Sequence, residues 1–197
     1  MSKLASGKNV RRGEPGPDKL AHSFAPVITD GARILILGSV PGQASLAARQ
    51  YYAHPRNAFW PIMAELFGAK PGQTYSARLQ MLQQHGIALW DVLASCERPG
   101  SLDADIDSAS IVVNDFNRLF DRYPGIDRIV FNGAMAEHCF RRHADVGAAQ
   151  RISARWRLPS TSPAHASLPY RQKLELWREA LLINDADHGE RVQYPVL

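Results

Sequence analysis

The chain has 197 residues, a formal charge of +4, 45% hydrophobic and 21% charged residues. That composition excludes a disordered chain and fits one domain with a single buried core. No apolar run approaches the roughly 20 residues needed to span a bilayer, so no membrane partner is expected.

The elements follow in chain order. Residues 1–21, "MSKLASGKNVRRGEPGPDKLA", carry charge without an apolar stretch. They read as a flexible basic tail, not a secretory signal, ahead of a single domain at 22–197. "ARILILGSV" is an apolar run closed by Gly38 and Pro41, the pattern of a strand covered on both faces in a parallel sheet. "RNAFWPIMAELFG" predicts a helix with a broad aromatic face, Pro61 in its first turn and Gly68 as its stop. "TYSARLQMLQQHG" predicts a second helix and "IALWDVL" a short strand. "SIVVNDFNRLFDRYPG" predicts a third helix, "IDRIVFNG" a strand and "AMAEHCFRRHA" a fourth helix. Residues 141–157 hold five Arg against one Asp and read as a solvated helical face or a basic patch. "WRLPSTSPAHAS" gives an edge strand and a Pro-punctuated loop, and "LPYRQKLELWREALL" the last helix. Four strand–helix alternations predict an α/β fold with a short, mainly parallel sheet.

Ligands of such sheets sit beyond the carboxyl ends of the strands. Four segments meet that description: "GSVPG…HPRN", "WDVLASCERPGS", "FNGAM" and "LPSTSPAHAS". The Gly38–Gly42 turn lets backbone approach a ligand closely. It lacks the endings of a P-loop or a dinucleotide fingerprint. Tyr51 and Tyr52 are adjacent, and two neighbouring rings do not easily face one core, so one is expected to be free to stack on a flat ligand. His54 suits a structural role beside a helix. Asn57 suits either a helix cap or a catalytic amide. Asp91 ends an apolar strand, where an ionised carboxylate needs a partner. Ser162 and His165 are three residues apart, but no nucleophile elbow accompanies them. Cys96 and Cys139 lack metal spacing and read as reduced, buried thiols of a cytoplasmic protein; no metal and no cofactor are expected.

Together these segments resemble the uracil-DNA glycosylase superfamily. "GSVPG" running into "YYAHPRNAFW" is similar to the first motif of the mismatch-specific members. "LPSTSPAHAS" is similar to the second motif, and the likeness extends over about residues 22–182. Val40 stands where most members have a water-orienting Asp or Asn. With "YYAHPRN" and "SPAHA", that departure is the pattern of the hypoxanthine-DNA glycosylase branch.

The resemblance implies a three-layer α/β/α sandwich around a mainly parallel four-stranded sheet. It implies excision of deaminated bases from DNA, hypoxanthine first and uracil second, by a monomer without metal. It assigns Asn57 the catalytic amide, with Ser162 and His165 in leaving-group or phosphate contacts. Gly38, Ser39, Val40, Pro41, Gly42, Tyr52, His54 and Asp91 would form the base pocket, with Tyr52 as its stacking ring. Arg56 and Ser167 would meet the DNA backbone. None of Lys3, Lys8, Lys19, Lys70 and Lys173 lies in these motifs, so a monofunctional enzyme without a Schiff-base lysine is expected. Two other readings stand beside it: a lesion-binding protein without catalysis, and a hydrolase of nucleosides or esters using Ser162 and His165.

Overall fold

The computed structural model describes residues 20–70, 72–144, 147, 152 and 154–182. Most of the predicted tail, residues 1–19, lies outside them. Leu20 and Ala21, assigned to that tail, instead belong to strand β1 (Leu20–His22), because Ala21 is buried opposite Cys96.

The central sheet has the strand order β3-β2-β6-β7, all parallel. Its members are β2 (Ile34–Gly38), β3 (Ile87–Asp91), β6 (Arg128–Asn132) and β7 (Ala154–Leu158). Every residue of β2 and β3 is buried, as expected for strands covered on both faces. The period-2 alternation of side chains divides the core. Leu35, Leu37, Ala88, Trp90, Ile129 and Phe131 enter one cluster, and Ile34, Ile36, Ile87, Leu89 and Val130 the other.

Helices α2 (Phe59–Phe67), α3 (Tyr75–Gln84) and α6 (Tyr170–Leu182) cover the second face. Helices α4 (Phe116–Arg122) and α5 (Ala134–His143) contribute Phe116, Phe120, Cys139 and Phe140 to the first. This is the expected three-layer sandwich. Cys96 and Cys139 are free and buried. None of the described helices is long and apolar enough to cross a membrane.

The chain departs from the sequence reading in four further places. "IALWDVL" is not one strand. After Asp91 the backbone leaves the central sheet, Val92 and Leu93 donate to the carbonyls of Gly38 and Ser39, and β4 (Leu93–Glu97) begins. With β1 and β5 (Val112–Val113), β4 forms a small antiparallel sheet. The predicted helix from Ser110 therefore starts only at Phe116. Its true cap is Asp115, whose carboxylate accepts from the Arg118 N–H at 2.9 Å. A short helix α1 (Gln43–Ala48) follows the Gly-Pro-Gly turn. Within the Arg-rich stretch, Arg155 and Arg157 lie on β7, not on a helical face; Arg157 and Arg141 both reach Glu137, at 3.3 and 3.7 Å.

Candidate active site

Gly38, Asp91, Asn132 and Leu158 end the four parallel strands at one edge of the sheet. The loops that leave them carry all the residues singled out from the sequence, so the topology gathers the four predicted segments.

The first loop turns tightly at Gly38. A Cβ there would lie 2.8 Å from Asp91 Oδ1 and 3.6 Å from Tyr52 Oη, so only a glycine lets the carboxylate come this close to the turn. The Ser39 hydroxyl donates to Asp103 Oδ1 at 2.7 Å. Val40 is 7% exposed and packs in the first core cluster. The turn is held from beneath by Arg98, 2% exposed. Its guanidinium donates to the carbonyls of Val40, Pro41 and Gly100. Ser101 Oγ accepts from the Gln43 N–H at 2.9 Å, beside Gly42.

Tyr51 and Tyr52 overturn the expectation that adjacent rings would not share a core. Tyr52 takes φ 55°, in the left-handed region, and both rings join the second cluster. Tyr52 stacks on Phe59 with centroids 3.9 Å apart, while Tyr51 meets Phe24 edge-on at 5.2 Å. Both hydroxyls are buried without a hydrogen bond of normal geometry, with Ser23 and Asp91 beside that of Tyr51 and Asn132 beside that of Tyr52. Burial, with the Asp91 carboxylate nearby, pushes both phenols above their ordinary pKa. An unpaired buried hydroxyl is uncommon, and these two converge on Asp91.

Asp91 is 3% exposed. Its Oδ2 accepts from Ser23 Oγ at 3.1 Å, and its carbonyl accepts from Asn114 Nδ2 at 2.9 Å. Burial raises its pKa from 3.8 to about 7, against the opposing pull of Ser23, Tyr51 and Arg98. The group therefore changes charge near neutral pH.

The His-Pro-Arg-Asn turn closes on itself. The Asn57 N–H donates to the His54 carbonyl at 2.8 Å, and the Arg56 N–H to His54 Nδ1 at 3.1 Å. Asn57 Oδ1 accepts from the Phe59 N–H at 2.9 Å. The side chain thus satisfies the first N–H of α2 from one residue ahead of its N-cap, Ala58, and that bond fixes the orientation of its amide. The next residue bridges the two motifs: the Ala58 N–H donates to the Thr161 carbonyl at 2.9 Å.

The second motif is anchored by Asn132, whose amide donates to Thr161 Oγ1 and accepts from the Thr161 N–H, at 2.9 and 2.8 Å. Ser162 Oγ accepts from the Ala164 N–H at 3.3 Å, and the His165 N–H donates to the Ser162 carbonyl at 3.0 Å. The His165 ring meets Ser167 Oγ, not Ser162. Burial, and then the charge of Lys173, hold its pKa below the ordinary imidazole value. Arg56, Thr161, Ser162, His165, Tyr170 and Lys173 line one cavity of about 230 Å³.

Tyr52 and Asp91 thus converge on Gly38, and Arg56, Ser162 and His165 line one cavity. Asn57 sits in the turn that joins them. Ser39 and Val40 point elsewhere. Sequence reasoning missed Ser23, Arg98, Asn132 and Thr161. Of these only Asn132, at a strand's carboxyl end, carried a local signal. Lys173 lies outside both motifs in sequence, yet its ammonium touches the second.

This geometry has relatives. A family model described as the uracil DNA glycosylase superfamily matches residues 25–182. A protein named hypoxanthine DNA glycosylase from Methanosarcina barkeri is 40% identical over 111 residues, 56% of this chain and 69% of that one. One of the same name from Methanosarcina acetivorans is 36% identical over 118 residues, 59% and 73% of the two chains. The solution NMR structure of a candidate uracil DNA glycosylase from Methanosarcina acetivorans superposes with a TM-score of 0.65 and 28% identity, covering 82% of this chain and 98% of that one. The chain belongs to the uracil DNA glycosylase superfamily.

Proposed function

We propose that the protein is a monofunctional DNA glycosylase that hydrolyses the N-glycosidic bond of deaminated bases, hypoxanthine before uracil. The observation that carries this reading is the close approach of the buried Asp91 carboxyl and the Tyr52 hydroxyl to the bare backbone of Gly38, at the carboxyl end of the sheet. It agrees with the names of the two Methanosarcina relatives.

A base must leave the helical stack before its glycosidic bond can be reached, at a cost of a few kcal/mol. Tyr52, braced against Phe59, offers a replacement stacking surface. Hypoxanthine carries an N1–H donor where adenine carries an acceptor. Ionised Asp91 accepts from the first and repels the second. The weakly held hydroxyls of Tyr51 and Tyr52 supply donors to a base that brings acceptors of its own.

Cleavage leaves an oxocarbenium-like sugar and an anionic base, and a water must reach the sugar. With Val40 buried in the core, no carboxylate occupies the usual water-orienting position. Asn57 serves instead. Its amide, oriented by the Phe59 N–H bond, has a free Oδ1 lone pair and two N–H donors. Ser162 and His165 contact the leaving group or phosphate, and Arg56 and Ser167 hold the DNA backbone, a salt-sensitive and sequence-blind contribution.

The ester-hydrolase alternative loses support because Ser162 Oγ and the His165 ring have different partners. A purely lesion-binding protein is distinguished by experiment. Duplexes containing one deoxyinosine or one deoxyuridine are incubated with protein and treated with hot alkali. Scission at inosine, weaker scission at uridine and none in Asn57→Ala are expected. Tight lesion binding without scission would overturn the reading.

A further inference from the structure

Helix α6 presents two polar side chains one turn apart, and both donate to the second motif. Trp177 Nε1 donates to the Pro159 carbonyl at 3.2 Å. Lys173 Nζ donates to the Ser160 carbonyl at 2.8 Å and to the His165 carbonyl at 2.6 Å. The i, i+4 spacing puts both on one helical face, the face that buries Leu174, Trp177 and Leu181.

Lys173 is 5% exposed and forms no ion pair among the described residues. A buried ammonium without a carboxylate carries a heavy desolvation cost, and burial pulls its pKa down. A Leu or Met would pack at this position without that cost. What the ammonium adds is its set of three donors, and two of them close the ends of the Ser160–His165 segment.

The segment has few other ties. Asn132 and the Ala58 N–H hold Thr161, and the His165 N–H bonds the Ser162 carbonyl. None of these connects the His165 end to the body of the fold; Lys173 does.

We propose that Lys173 is a positioning residue that clamps the second motif onto α6 and thereby holds Ser162 and His165 toward the DNA. It acts through the loop's backbone and makes no covalent bond to substrate. The kinetic part rests on the glycosylase reading; the clamp itself does not.

The test compares wild type, Lys173→Met and Lys173→Arg by thermal melting, amide hydrogen exchange and kinetics on a deoxyinosine duplex. Lys173→Met is expected to melt cooperatively and to protect β2 and β6 like wild type. Amides of residues 160–167 should exchange about ten-fold faster, and kcat/KM should fall roughly ten- to a hundred-fold, chiefly in kcat. Lys173→Arg, which keeps charge and donors, should restore both loop protection and most activity. Unchanged exchange at 160–167 in Lys173→Met would overturn the clamp. So would a Lys173→Arg protein whose loop is protected but which is as inactive as Lys173→Met, since the amine itself would then be required. If Lys173→Met does not fold, Lys173→Arg alone decides by the same two readouts. If wild type excises nothing, the glycosylase reading fails and the exchange data still judge the clamp.

Discussion

Gly38 and Asp91 are register partners at the ends of β2 and β3, and a methyl group on Gly38 would stand 2.8 Å from the Asp91 carboxylate. The absence of a side chain at Gly38 is what lets the buried Asp91 carboxyl lie against the turn. Gly38→Ala should displace the carboxyl, which belongs to a short side chain with little room to move. The expected cost is about 1–3 kcal/mol of stability, as for overpacking elsewhere, with roughly a hundred-fold loss of kcat/KM. Urea melts and single-turnover kinetics measure the two separately.

Asp91 should give stability a particular pH dependence. Its folded pKa of about 7 lies above the ordinary 3.8, so the folded state binds the extra proton. Its contribution is unperturbed below about pH 4 and is lost as pH rises through 7. A three-unit difference corresponds to about 4 kcal/mol at most. Asp91→Asn should therefore melt higher than wild type at pH 8 and show little difference at pH 4. An equal change at both pH values would mean that the charge is not what burial opposes.

Asn57 is both a cap and the proposed catalytic amide, and substitutions separate these roles. Asn57→Ala removes the acceptor for the Phe59 N–H and should cost about 1 kcal/mol along with activity. Asn57→Asp and Asn57→Ser keep a cap and should melt close to wild type. Excision should still fall in both, roughly a hundred-fold or more. Melting curves beside excision rates decide it.

The Tyr52 hydroxyl is buried beside Asn132 without a hydrogen bond of normal geometry. Removing it forfeits little, so Tyr52→Phe should stay within about 1 kcal/mol of wild type in stability. Excision of hypoxanthine should weaken about five-fold if the base pairs with that hydroxyl. Tyr52→Ala, which loses the ring stacked on Phe59, should lose both stability and activity.

The parts legible in the sequence were those set by local pattern. The all-apolar strand Ile34–Gly38, the His-Pro-Arg-Asn turn before α2 and Asp91 at a strand end each carry their signal within a few residues. The small antiparallel sheet did not. Its outer strands are three and two residues long, too short for period 2 to register, and β4 follows β3 after a single residue. Side chains arriving from a distance were equally invisible. Ser23 reaches Asp91 across 68 residues, and Arg98 reaches Pro41 across 57. Tyr51 and Tyr52 misled because the positive φ at Tyr52, which lets both rings enter one core, is rare for an aromatic residue.

The most direct test of the central claim is the excision rate from duplexes carrying deoxyinosine or deoxyadenosine at one position, for wild type and Asp91→Asn at pH 8. Wild type is expected to release hypoxanthine and leave adenine. Asp91→Asn should release hypoxanthine more slowly and lose much of that discrimination, because a neutral amide can donate to adenine N1. A variant that keeps both the wild-type rate and the wild-type preference would contradict it.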